Sequence, residues 1–167
     1  MLLTPEYLFS GVAAITPEFL AQRGITALAL DVDNTLTAHG SQRLPPAVAE
    51  WLGRMRGARV SLAIVSNNGP ERVRPFAEGL GLPFVANACK PLGHGLRQVQ
   101  RQFGVPKSGM ALVGDQLFTD RLAGAMYGVT VLVVQPMAPE IKAGIKLKRV
   151  LEKPFLRRYF KRGGKVL

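Results

Sequence analysis

The feature that most constrains this chain is a series of five short, almost wholly apolar runs, at residues 26–30, 60–65, 83–86, 110–113 and 129–134, rich in Ala, Val, Ile and Leu. Each has the length of a strand, and none alternates apolar with polar residues. A run that is apolar throughout suits a strand covered on both faces, as happens inside a parallel sheet. The segments between them carry the helical period instead. Residues 45–56 open on a proline pair and repeat Val48, Trp51, Leu52 and Met55 at three- and four-residue spacing. Residues 70–80 and 92–103 behave in the same way, and 119–127 opens on Thr119 as a cap before Leu122 and Met126.

Strands and helices therefore alternate as βαβαβαβαβ. This predicts an α/β fold: a three-layer, doubly wound, parallel five-stranded sheet with helices on both faces. Such folds gather ligands at the carboxyl ends of their strands, so residues that carry chemistry are expected just after the apolar runs.

Polar groups stand at those positions. The first run ends in LALDVDNTLT, with Asp31 and Asp33 at the strand edge and Asn34 and Thr35 in the turn beyond. The second ends in LAIVSNNG, where Ser66, Asn67 and Asn68 precede a helix, a setting of hydroxyl and helix-start amides that suits a phosphate. Lys90 follows the third run, a cation able to balance a phosphoryl group and several carboxylates. The fourth ends in ALVGDQLFTD, with Asp115 at the edge and Asp120 further on. Any one of these alone reads as a turn former, a helix cap or a solvated charge. Four in order at four consecutive strand ends are not explained by turn chemistry.

Composition sets limits around this site. The 167 residues, 47% hydrophobic, suffice for a core of one domain. Cys89 is the single cysteine, which excludes an internal disulfide and fits a reducing, cytoplasmic setting; it is expected to be a small buried residue beside Lys90. Trp51 is expected in the core; His39 and His94 are isolated, and for His39, in the loop after DVDNT, a substrate contact is the alternative and not the expectation. No apolar stretch approaches the roughly 18 residues of a membrane span, so a soluble or peripheral membrane protein is expected. The net charge of +11 is concentrated: residues 141–167 hold ten Lys/Arg against the single acid Glu152, a net of +9. The expected organisation is a domain over 1–145 with a basic amphipathic segment over 146–167. In KPFLRRYFKR the pairs Phe155/Leu156 and Tyr159/Phe160 alternate with basic pairs. That spacing fits a helix lying on an anionic lipid surface, a helix packing its aromatics on the domain, or a patch for RNA phosphates.

The four motifs, DVDNT, the Ser66 of IVSNN, Lys90 and GDQLFTD, resemble those of the haloacid dehalogenase (HAD) superfamily. More narrowly, SNNG, the following Lys-Pro, GDQLFTD and the basic C-terminal segment look like the YqeG family of capless, subfamily IIIA phosphatases, related to phosphatidylglycerophosphatase. The chain departs from that pattern at residues 124–128, where an Asn is expected near Met126. The resemblance implies a Mg2+-dependent phosphatase in which Asp31 is the nucleophile, Asp33 the proton shuttle, and Lys90, Ser66 and Asn67 hold the phosphate. It implies Mg2+ ligands in the Asp31 carboxylate, the Asp33 carbonyl and Asp115, with Asp120 acting through water or by orienting Lys90. Thr35 either braces the turn or is purely structural. Neither insertion point has room for a cap, so an open site is implied. The substrate implied is phosphatidylglycerophosphate; a nucleotide, sugar phosphate or phosphoprotein is the alternative, and an RNA- or ribosome-associated binding protein is a third reading.

Overall fold

The computed structural model describes residues 2–139 and 143–167. Its strands are β1 (Tyr7–Phe9), β2 (Ala27–Leu30), β3 (Ser61–Val65), β4 (Phe84–Val85), β5 (Met110–Gly114) and β6 (Thr130–Val134). Its helices are α1 (Pro17–Ala21), α2 (Pro46–Gly57), α3 (Pro70–Leu80), α4 (His94–Phe103), α5 (Leu122–Tyr127) and α6 (Ala143–Lys161). All neighbouring strands run parallel, in the order β1-β6-β5-β2-β3-β4.

The apolar runs become strands because both of their faces are covered. In β2, Leu28 and Leu30 enter one core with Trp51, Met55 and Phe76, while Ala27 and Ala29 enter the other with Leu96, Val99 and Ala123. The same division repeats in β3, β5 and β6, so α2 and α3 cover one face and α4, α5 and α6 the other. Trp51 is fully buried, and its indole N–H donates to the Ile15 carbonyl at 2.8 Å, which satisfies its polar atom.

Two expectations are corrected here. The sheet has six strands among the described residues, not five, because Tyr7–Phe9 adds an edge strand beside β6. Three residues are too few to show a period, and nothing local separates them from a loop. Cys89 is exposed rather than buried: its left-handed backbone (φ 56°) turns the thiol outward while Ala88 takes the core position.

The C-terminal segment is docked on this domain. Glu152 and Tyr159 of α6 are buried, and Phe155 and Leu156 pack beside Tyr159 on the second core. Past the helix, the Leu167 N–H donates to the Leu8 carbonyl at 2.8 Å, and the Ser10 N–H to the Leu167 carbonyl at 2.9 Å. The chain therefore runs alongside β1. No described helix is long and apolar enough to cross a membrane.

Candidate active site

The order β5-β2-β3-β4 sets the ends of four strands side by side, so Asp115, Asp31, Ser66 and the loop carrying Lys90 meet at one edge. This is the switch point from which successive strands diverge, with β3 and β4 on one side of β2 and β5 on the other. The Asp31 N–H donates to the Val113 carbonyl and the Ser66 N–H to the Val85 carbonyl, so the sheet's own ladder fixes where both side chains begin. Beyond Asp31 the chain curls: Asn34 takes a left-handed conformation (φ 60°), and the N–H groups of Thr35 and Leu36 return to the Val32 carbonyl. The Thr35 hydroxyl is buried and has no hydrogen-bond partner.

Lys90 is the electrostatic centre. Its ammonium lies 2.6 Å from Asp31 Oδ1 and 2.7 Å from Asp120 Oδ1, with all three side chains buried. Asn67 places it, accepting from the Lys90 N–H at 2.7 Å and donating to its carbonyl at 2.8 Å. The carboxamide expected to touch phosphate thus clamps the lysine's main chain. Ser66 is buried, and its hydroxyl accepts from the Asn68 N–H at 3.2 Å.

Asp120 reaches the site through a widened turn, Leu117–Arg121, in which the Arg121 N–H bonds back to the Gln116 carbonyl. It folds against the end of β5 so closely that a Cβ on Gly114 would lie 2.3 Å from Asp120 Cγ. Glycine in GDQLFTD is therefore required by that approach.

Carboxylate oxygens of Asp31, Asp115 and Asp120 lie within 4.8 Å of one another, all buried. Burial raises Asp31 from 3.8 to about 6, against the pull of Lys90 and with a push from Asp120. Asp115 is raised well above the usual carboxylate range, first by burial, with Arg149 opposing. Lys90 moves up as well: burial opposes its charge, but Asp120 and Asp31 outweigh it. The one ammonium gains two anionic partners, whereas each carboxylate has only a share of it. Asp115 Oδ1 is buried without a hydrogen-bond partner. An all-oxygen set with an unmatched buried acceptor and excess negative charge fits a hard divalent cation.

The Asp33 carboxylate lies outside that cluster. Its Oδ1 accepts from the Gly40 N–H at 2.7 Å and from Arg72 Nη2 at 2.9 Å, and its Oδ2 from the Asn68 carboxamide. Arg72 and Asn68 carried no sequence signal beyond standing at the start of a helix. The cleft above these groups encloses about 210 Å3 and is lined by Asp31, Asp33, His39, Ser66 and Lys90, and also by Ile145 and Lys148 of α6. Among the described residues no cap is inserted, yet α6 supplies a wall. On it, Arg149 reaches Asp115 and Glu152 reaches the Leu117 N–H. The solitary acid in a run of cations was the available signal for that contact.

Against curated proteins, the chain is 33% identical over 152 residues to "Probable phosphatase YqeG" of Bacillus subtilis, across 91% of this chain and 88% of that one. The chain belongs to the YqeG family of HAD-type phosphatases. No family model matches it. A second relative of this YqeG-type chain, "Phosphatidylglycerophosphate phosphatase 1, chloroplastic" of Chlamydomonas reinhardtii, is 29% identical over 150 residues, 84% of this chain and 56% of that protein. Among solved structures, a haloacid dehalogenase-like hydrolase of Brucella suis matches with a TM-score of 0.51 at 15% identity, over 74% of this chain and 93% of that one. The cobalt-bound deoxy-D-mannose-octulosonate 8-phosphate phosphatase of Haemophilus influenzae matches with a TM-score of 0.56 at 18% identity, over 76% of this chain and 75% of that one. These structural likenesses show that this YqeG-type chain has the HAD fold.

Proposed function

We propose that this YqeG-family chain is a Mg2+-dependent phosphomonoesterase that works through an aspartyl phosphate on Asp31. The observation that carries the reading is the buried Lys90 ammonium seated between Asp31 and Asp120 at the floor of the cleft. An Asp31 oxygen forms the bond to phosphorus as the bond to the leaving alkoxide breaks, and Asp33 supplies the alkoxide with a proton. Asp33 then takes a proton from the water that attacks phosphorus, which releases inorganic phosphate and restores Asp31. Ser66 and the main chain at Asn67 hold phosphate oxygens, with Lys90 as the nearby cation. The Asp31 and Asp115 carboxylates and the Asp33 carbonyl would hold Mg2+, which when bound offsets the charge gathered around a phosphate dianion. Asp120 orients Lys90.

The substrate we favour is phosphatidylglycerophosphate. Two curated relatives carry that activity in their names. A second support is the outer face of α6, where Leu147, Val150 and Leu151 are more than half exposed among Lys146, Lys148 and Lys153. Apolar side chains among cations suit an anionic bilayer. Ile145 and Lys148 of the same helix line the cleft, which would set its mouth at the membrane surface.

Phosphate release should be measured from this lipid in anionic vesicles and from soluble nucleotide, sugar and protein phosphomonoesters. Preference for a soluble ester overturns the lipid assignment. Mg2+-dependent release that survives Asp31→Asn overturns the mechanism. Salt-sensitive RNA binding with no turnover of any ester would return the chain to the class of binding proteins.

A further inference from the structure

The C-terminal helix makes a contact that none of the four strand-end motifs contains. Arg149 Nη1 donates to the main-chain carbonyl of Asp115 at 2.6 Å, and Nη2 donates to Asp115 Oδ2. The same Nη1 lies 3.1 Å from Glu152 Oε2, while Glu152 Oε1 accepts from the Leu117 N–H at 2.7 Å. Arg149 and Glu152 are three residues apart on α6, so they share the face turned to the site.

We propose that Arg149, seated by Glu152, is the positioning residue for Asp115, holding Oδ2 so that Oδ1 faces the acid cluster; the docked C-terminal helix thereby sets the site's affinity for a divalent cation. This inference rests on the Mg2+ reading above.

A guanidinium is a rigid fork, and here its prongs grip the main chain and the side chain of one residue. That pairing fixes the rotation of the Asp115 carboxylate, which a single ammonium could not do. Charge distribution gives Arg149 the task. Three carboxylates converge, and Lys90 is already placed between Asp31 and Asp120. The cation on Asp115 is Arg149, whose side chain is largely buried, and Glu152, itself buried, holds it from behind. Glu152 in turn grips the first residue of the turn that delivers Asp120. The helix thus bears on two of the three acids. In a fold with no inserted cap, a distant segment of the chain completes the cation site from outside the sheet.

Calorimetric titration of Mg2+ into the metal-free, full-length protein tests this. Arg149→Gln should weaken Mg2+ binding by about 10- to 100-fold, the usual effect of losing a partner that orients a metal ligand. Arg149→Lys should fall between that variant and the wild type. Tyr159→Phe removes a hydroxyl that donates to the Lys165 carbonyl at 2.8 Å and loosens the same helix at its far end. It should lower the Tm and leave Mg2+ affinity unchanged.

A folded Arg149→Gln protein that binds Mg2+ as tightly as the wild type overturns the inference. Should that variant not fold, wild-type affinity in Arg149→Lys does the same. Equal weakening by Tyr159→Phe also overturns it, since helix docking in general would then be responsible. A wild-type protein that takes up no Mg2+ overturns the metal reading together with this inference, whereas equal binding by wild type and variants overturns this inference alone.

Discussion

Lys90 Nζ lies 2.6 Å from Asp31 Oδ1, and both side chains are buried. The same ammonium meets Asp120, so one cation offsets two buried carboxylates. Because the site is assembled from charge and not from packing, its stability and its metal affinity should both depend on protonation.

Lys90→Met leaves Asp31 and Asp120 buried without their cation. Breaking a buried pair from one side costs about 3–5 kcal/mol, chiefly because a charge is stranded. Urea unfolding of the metal-free variant should show a loss of that order at pH 8 and a smaller one at pH 5, where Asp31 can take up a proton. An equal loss at both pH values would mean that the lysine acts through packing.

Asp31 is raised from 3.8 to about 6, first by burial. A carboxyl that holds its proton more tightly folded than unfolded favours folding while protonated, so its contribution is present at low pH and is lost as pH rises from 3.8 to about 6. Mg2+ needs the ionised form. Its affinity should therefore climb with pH by up to about tenfold per unit below pH 6 as Asp31 ionises, and Asp115, also raised by burial, carries the climb further. Calorimetry between pH 5 and 8 reads this directly, and a flat profile would contradict it.

Arg72 Nη2 lies 2.9 Å from Asp33 Oδ1 and also donates to the Ser41 carbonyl at 2.7 Å. It ties the proposed proton shuttle to the loop over the cleft. Arg72→Leu should lower kcat by on the order of 10- to 100-fold with little change in KM, since a misplaced group reduces turnover more than binding. Steady-state kinetics on any accepted ester would show it.

Leu147 and Leu151 are exposed on the outer face of α6. Replacing both by Asp adds negative charge to a surface read as facing anionic lipid. Sedimentation with vesicles containing anionic lipid should be lost while the Tm holds, and the ratio of lipid to soluble-ester turnover should fall. Unchanged sedimentation would remove α6 as the docking face.

Most of the site could be read in the chain because strand ends announce themselves. An apolar run followed by Asp31, Ser66 or Asp115 needs no distant information, since the run marks the strand and the polar residue marks its end. Trp51 was equally legible from its helical spacing. The tail was not. Phe155, Leu156 and Tyr159 face the core, Phe160 faces out, and the outward apolar positions are Leu147, Val150 and Leu151. An amphipathic sequence contains both faces, and only the docked helix selects which one water sees.

The sequence by itself determined the alternation of strands and helices, the parallel sheet and the order of polar groups along it, because each depends on burial over a few neighbouring residues. Tertiary structure alone decided that Tyr7–Phe9 would join the sheet beside β6, that Asn67 would clamp Lys90, that Arg72 would reach Asp33, and that Arg149 would reach Asp115 across 34 positions of chain. These pairings join residues far apart in the chain. No local period encodes them; they form where the parallel sheet brings its strand ends together and where the last helix closes over that edge.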